Sequence, residues 1–186
     1  QGWDYRAPEG LELGEKIELF YDARGQLIRS RSPDGSERLV VLGVPAALVD
    51  PSTYAPTPWE TYTYDANDNA GRTHTTTTTA YASHWNTPAS IVVDALGRIV
   101  SATTRNGPDA SSEWYTTRTT YDIQGNIVAI TDALGREAFR YVYDLANRCW
   151  RVDSSDAGRT DTVPDVLGNP VEVREGKGAR TLCAHD

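Results

Sequence analysis

The sequence predicts an all-β fold of tandem β-hairpins laid side by side in an antiparallel sheet, and three observations predict it. First, the spacing Asp-x-x-Gly occurs five times, at Asp22 to Gly25, Asp94 to Gly97, Asp122 to Gly125, Asp132 to Gly135 and Asp165 to Gly168. Asp144 to Asn147 and Asp65 to Asp68 are degenerate copies of it. Second, the flanks alternate with period two. Thr117, Thr119 and Tyr121 alternate with Arg118 and Thr120, and Phe139, Tyr141 and Tyr143 with Arg140 and Val142. Ile99-Val100, Ile127-Val128 and Val171 with Val173 follow the turns, and β-branched and aromatic residues in this pattern are the strand signal. Third, the copies recur evenly: the steps from Asp122 to Asp144, Asp165 and Asp186 are 22, 21 and 21 residues, the mark of a repeat array.

Each unit has a physical reading. Aspartate at the first position of a tight turn accepts a hydrogen bond from the backbone two residues on, and the fourth position needs positive φ. Glycine adopts that conformation with no Cβ penalty, and Asn and Asp are the next best residues, which is how Asn147 and Asp68 are read. The motif is therefore predicted to be a hairpin loop, a type I turn closed by a glycine bulge.

The elements follow in chain order. Residues 1–19 lead in, ending on the alternating Lys16-Ile17-Glu18-Leu19, and Phe20-Tyr21-Asp22 opens the first unit. Residues 20–57 hold that unit, an extra turn at Pro33-Asp34-Gly35, an apolar stretch from Leu39 to Val49, and a proline-rich linker. Pro45, Pro51, Pro56 and Pro58 are dense enough to predict a loop rather than a central strand, with room for one short turn at Pro45 to Val49. Residues 58–90 form a degenerate unit around Asp65, followed by the threonine run Thr75 to Thr79, read as a loop or exposed edge. Residues 91–186 are a regular array that stops at a repeat boundary, with Asp186 opening a further unit. No segment carries helical periodicity.

Composition narrows the function. The net charge of −8 divides as −5 over residues 1–93 and −3 over 94–186, with no basic stripe, which argues against nucleic acid as partner. No apolar run is long enough to span a membrane, and no signal-like N-terminus is evident, so no membrane contact is expected of this segment. A chain that begins at Gln1 and contains no Met is expected to be a piece of a longer protein. Lys16 and Lys177 are the only lysines among 18 basic residues; the arginines suit planar pairing and stacking on tyrosine. Cys149 and Cys183 sit at different phases of the repeat and are expected to be two buried free thiols.

The search for chemistry favours structure over catalysis. His74, His84 and His185 have no metal-ligand spacing, and no phosphate cradle, nucleophile elbow or zinc motif is present, so no catalytic residue, metal or cofactor is predicted. His185 stands where Tyr21, Tyr64, Tyr121 and Tyr143 stand in other units, which predicts a packing role. The seven turn aspartates are explained by backbone amides without catalysis. Trp59, Trp85 and Trp114 are candidates for aromatic contact with sugars, although filling the seam between hairpins is the preferred reading, given how much area an aromatic ring buries.

These residues also carry a resemblance. Phe20-Tyr21-Asp22-Ala23-Arg24-Gly25-Gln26-Leu27, Tyr121-Asp122-Ile123-Gln124-Gly125-Asn126-Ile127 and Tyr141-Val142-Tyr143-Asp144-Leu145-Ala146-Asn147-Arg148 resemble the YD repeats of the RHS family. Pro58-Trp59-Glu60, Tyr64-Asp65-Ala66-Asn67-Asp68-Asn69-Ala70, His84-Trp85-Asn86-Thr87-Pro88-Ala89-Ser90 and Asp132-Ala133-Leu134-Gly135-Arg136 are similar, more narrowly, to the B component of insecticidal toxin complexes. The resemblance implies a ribbon of hairpins spiralling as part of a hollow shell. With the remaining RHS repeats of its parent and a C component, such a shell encloses a cytotoxic C-terminal domain, delivered through a pore-forming A component and secreted or displayed at the cell surface of a bacterium. The chain matches the wall, and no catalytic residue is carried over.

Repeat hairpins need neighbours to cover them, so the isolated segment is expected to expose open sheet edges at its ends and to self-associate. Two other classes are weighed against the shell: a cell-surface or carbohydrate-binding adhesion module built of YD repeats, and a hydrolase built from paired aspartates.

Overall fold

The computed structural model describes residues 15–74 and 84–185. The run Thr75 to Thr79 and the unit opened by Asp186 lie outside them. Thirteen strands follow one another: β1 Glu18–Tyr21, β2 Leu27–Arg31, β3 Glu37–Ala47, β4 Asp50–Tyr64, β5 Ala89–Val93, β6 Ile99–Arg105, β7 Trp114–Tyr121, β8 Ile127–Thr131, β9 Glu137–Tyr143, β10 Cys149–Ser154, β11 Gly158–Pro164, β12 Pro170–Glu175 and β13 Arg180–Leu182. Sheet order is chain order from β1 to β13, and the registered pairs are antiparallel. Two compact units are distinguished, Gln1–Ser90 with Arg105–Glu113, and Ile91–Thr104 with Trp114–Asp186.

In the first unit burial concentrates where β3 and β4 meet the segment after Tyr64. Among the described residues Val41, Tyr64, Ala70 and Pro88 are buried there, joined by Asp68, Asn69, Thr87, Ser90 and Arg105. Such polar burial is tolerable because the side chains are bonded: Asn69 Nδ2 donates to Glu37 O at 2.7 Å, and Arg105 reaches Pro88 O and Ser90 Oγ. Burial also pushes the Tyr64 hydroxyl up to about 12.

The proline-rich linker is instead strand. Pro45 lies in β3, and Pro51, Pro56 and Pro58 lie in β4. β2 stops pairing with β3 at Leu39, so Pro45 faces no second neighbour there and needs no donor on that side. Between Leu42↔Thr61 and Gly43↔Pro56 the register jumps, and residues 57–60 leave the ladder, taking Pro58 and Trp59 with them. Gly43 permits the jump at φ 153°, since a Cβ there would lie 2.4 Å from Ala55 O. The turn expected within Pro45 to Val49 reduces to the hairpin tip between β3 and β4.

In the second unit every described residue keeps partial or full exposure. Alternation gives each strand two unequal faces, as in the i-e-i-e start of β7, yet neither face is covered by a second layer of described residues. The same geometry overturns the expectation of two buried thiols. Cys149 and Cys183 are free, but Cys149 is exposed and Cys183 half-buried, because a single sheet offers no interior for them.

Candidate functional site

The repeated feature is the corner that joins consecutive strands. At Asp22 the chain closes with Gly25 N–H donating to Asp22 O at 3.0 Å and Asp22 N–H to Gln26 O at 2.9 Å. The same pair of bonds recurs at Asp94, Asp122, Asp132, Asp144 and Asp165. The fourth residue is left-handed each time, with φ of 78° at Gly25, 75° at Gly97, 95° at Gly125, 78° at Gly135, 66° at Asn147 and 93° at Gly168. A residue added there shifts the register, so that Tyr21 faces Leu27, Tyr121 faces Ile127, Tyr143 faces Cys149 and Pro164 faces Pro170.

Each carboxylate is ligated on both oxygens. At Asp94, Oδ1 accepts Leu96 N–H at 2.9 Å and Arg98 N–H at 3.0 Å, while Oδ2 accepts Arg98 Nε–H at 2.8 Å. Arg136 and Arg148 do the same for Asp132 and Asp144, and the amides of Asn126 and Asn169 for Asp122 and Asp165. Asp22 differs, drawing its side-chain donor from Arg24 at 3.2 Å. An arginine or asparagine immediately after the glycine thus completes the motif. Sequence reasoning missed it, although Arg98, Asn126, Arg136, Arg148 and Asn169 are visible in five of the copies.

These bonds set the acidity. The side chains of Arg98 and Asn126 chiefly hold Asp94 and Asp122 below the ordinary aspartate value, and the backbone N–H groups of Gln26, Arg136 and Arg148 do so for Asp22, Asp132 and Asp144. A carboxylate in this state is deprotonated and has its lone pairs engaged, the reverse of a general acid.

Successive corners of the second unit also hold one another. Tyr121, just before its aspartate, donates its hydroxyl to Ile99 O of the preceding corner at 2.9 Å, and Arg98 lies over the Tyr121 ring at 4.5 Å. Tyr143 repeats the bond to Ile127 O at 2.9 Å, and His185 Nε2 lies 2.8 Å from Pro170 O in the same slot. Asn126 Nδ2 reaches Asn147 Oδ1, and Arg148 Nη1 donates to Asp165 O at 2.9 Å. The Tyr-Asp pair is therefore a corner plus a latch to its neighbour.

Two corners were not read as full copies. Ser32 to Gly35 and Glu175 to Gly178 make the same backbone bonds, with Gly35 at φ 82° and Gly178 at φ 88°, although no aspartate leads either. Asp65 to Asp68 departs in the other direction. Asp68 is not left-handed; among described non-glycine residues only Asn86 and Asn147 have positive φ. Asp65 Oδ1 instead accepts Asp68 N–H at 2.8 Å, and Asp68 Oδ2 accepts Asp65 N–H at 2.9 Å. Asp68 Oδ1 takes Thr87 N–H at 2.8 Å and Thr87 Oγ1–H at 3.0 Å. Tertiary partners have turned this copy into a buried clasp, and burial raises the Asp68 carboxyl.

The tryptophans stand on separate elements. Trp59 is exposed in the β4 bulge, Trp85 lies against Gly71, and Trp114 is half-buried at the start of β7. An apolar groove of about 540 Å³ in the first unit is lined by Leu39, Val41, Leu42, Tyr54 and Pro56, with Asp22 and Glu37 at its wall. Both carboxylates are engaged, Asp22 by its turn and Glu37 by Arg31 at 2.9 Å. Among the described residues no three His, Cys, Asp or Glu side chains converge as metal ligands, and no helix is long and apolar enough to cross a membrane.

Fold and corners together define a class, an antiparallel sheet of tandem hairpins whose corners are held by ligated aspartates. No family model and no curated protein matches the chain. Solved structures do. The crystal structure of TcdB2-TccC3 is similar with a TM-score of 0.69 and 24% identity over 89% of this chain and 8% of that one. The Photorhabdus luminescens Tc holotoxin pore gives 0.74 and 23% over 92% and 8%. TcdB2-TccC3 without its hypervariable C-terminal region gives 0.73 and 23%, again over 92% and 8%. At this identity the likeness is one of fold: the chain has the all-β, antiparallel architecture of a small part of these assemblies.

Proposed function

We propose that this chain is a length of shell wall from a Tc-type toxin. With the other RHS repeats of its parent and a C component it encloses a cytotoxic C-terminal domain, which a pore-forming A component then delivers outside the producing bacterium. The observation that carries the reading is the second unit, where a run of latched hairpins leaves no described residue buried. A sheet of this kind is a partition whose stability comes from neighbouring segments. Its aspartates are corner pieces, which supports a structural rather than a catalytic role. The exposed aromatics Tyr21 on β1, Tyr54 and Trp59 on β4, Tyr115 on β7 and Phe139 on β9 stand on strands that are not neighbours in the sheet, which supports the shell over a sugar-binding face.

The test is protection. In the full parent protein expressed with its C component, the C-terminal domain should resist added protease while the shell is intact. It should become cleavable when Asp122 and Asp144 are both changed to Ala. A C-terminal domain equally cleavable in the unmodified protein would refute enclosure.

A further inference from the structure

The chain holds seven asparagines, all among the described residues, and five have their side-chain amides tied. Asn67 and Asn69 donate to His84 O and Glu37 O, Asn126 and Asn169 donate to their turn aspartates, and Asn147 Oδ1 accepts from Asn126. The side chain of Asn86 bonds to no described residue, but the next residue is the stiff, β-branched Thr87, whose N–H is committed to Asp68 Oδ1 at 2.8 Å. Asn106 differs on both counts. It is exposed just past the end of β6, its side-chain amide bonds to no described residue, and it is followed by Gly107 in the chain's only Asn-Gly step. Its main chain is held in place: Arg105 reaches Pro88 O and Ser90 Oγ, and Asn106 N–H donates to Glu113 O at 2.9 Å. The Glu113 carboxylate folds back onto Gly107, where both its oxygens occupy the space a Cβ would need, so glycine is required there by packing. The same carboxylate accepts Asp109 N–H at 2.9 Å.

We propose that Asn106 is a self-modification site, at which the loop converts its own side-chain amide to a carboxylate. The Gly107 nitrogen attacks Asn106 Cγ, the Cγ–Nδ2 bond breaks, and the departing amide takes the Gly107 proton, relayed by Glu113, to leave as ammonia. Water then opens the cyclic imide, at Cγ to give aspartate or at the main-chain carbonyl to give isoaspartate. Glycine lets the ring close because no Cβ opposes the approach. Either product places a new negative charge opposite Glu113, in a loop that already carries Asp109, and like charges placed opposite one another repel. Ammonia is lost to solvent, so the change runs one way and residues 106–113 loosen once.

Peptide mapping by mass spectrometry tests this on the folded 186-residue chain. Trypsin cuts after Arg105 and Arg118, and the peptide between them holds no other asparagine and no glutamine, so a gain from amide to acid there reports Asn106 alone. At mildly alkaline pH Asn106 should convert about tenfold or more faster than any other asparagine, with isoaspartate among the products. Glu113→Gln should slow the conversion several-fold. Amide exchange across residues 106–113 should rise as conversion proceeds, be raised from the start in Asn106→Asp, and return toward the original level in Asn106→Asp/Glu113→Gln. Asn106→Gln should stay both unconverted and protected over the same period. Conversion no faster than at the other asparagines, a rate unmoved by Glu113→Gln, or an Asn106→Asp loop as protected as the original would each overturn the inference.

Discussion

Replacing Gly125 by Ala isolates the conformational demand of one corner. Gly125 sits at φ 95°, and the nearest atom to an added Cβ is Nη1 of the flexible Arg98 at 3.6 Å, an ordinary contact. Steric crowding therefore adds nothing, and the cost is that of holding an L-residue left-handed, about 1–2 kcal/mol. Gly125→Asn should cost distinctly less, because Asn147 already occupies the equivalent position at φ 66° in the Asp144 corner. A second substitution at Gly168, at φ 93° in the Asp165 corner, is far enough away to add, giving about 2–4 kcal/mol for the pair. Urea unfolding followed by circular dichroism reads these differences, with the m-value unchanged if only the folded corner is affected. The reasoning fails if Gly125→Ala unfolds within about 0.3 kcal/mol of the unmodified chain, or if Asn proves as costly as Ala.

Gly43→Ala places a Cβ 2.4 Å from Ala55 O and 2.9 Å from Pro56 Cα, so it should cost more than about 2 kcal/mol and raise amide exchange through the outer β3–β4 hairpin; unchanged exchange would contradict the close approach. Tyr143→Phe removes the hydroxyl bonded to Ile127 O at 2.9 Å and should lower stability by about 1 kcal/mol, a change of zero indicating that the latch contributes nothing. Acid should weaken the sheet. The side chains of Arg159 and Arg151 lower Asp161 to about 2 from an ordinary value of 3.8, so its contribution is complete above that value and is lost as pH falls toward about 2. The corner aspartates are shifted the same way, and the urea midpoint should decline only over that acid range; a decline already present near neutrality would point to other groups.

What was legible in the sequence was local chemistry. Asp-x-x-Gly encodes its turn within five residues, so Asp94, Asp122, Asp132 and Asp165 could be placed before any tertiary contact was known, and period-two flanks located the strands beside them. The Asp65 copy could not be read this way, because its geometry is set by Thr87, 19 residues from Asp68, and by the reach of Asn69 to Glu37 O. The prolines of β3 and β4 misled for a related reason: proline excludes a strand only where both sides must pair, and these sit where one side is free or the ladder is broken. The thiols were misjudged because cysteine's preference for burial presumes an interior, and the second unit has none.

The central claim, that the recurrent aspartates are ligated corner pieces, is tested most directly by a carboxyl-detected NMR titration of each one. Asp22, Asp94, Asp122, Asp132 and Asp144 should all titrate below 3.8. Any of them titrating above about 5, in the range of a poised acid or base, would contradict the account.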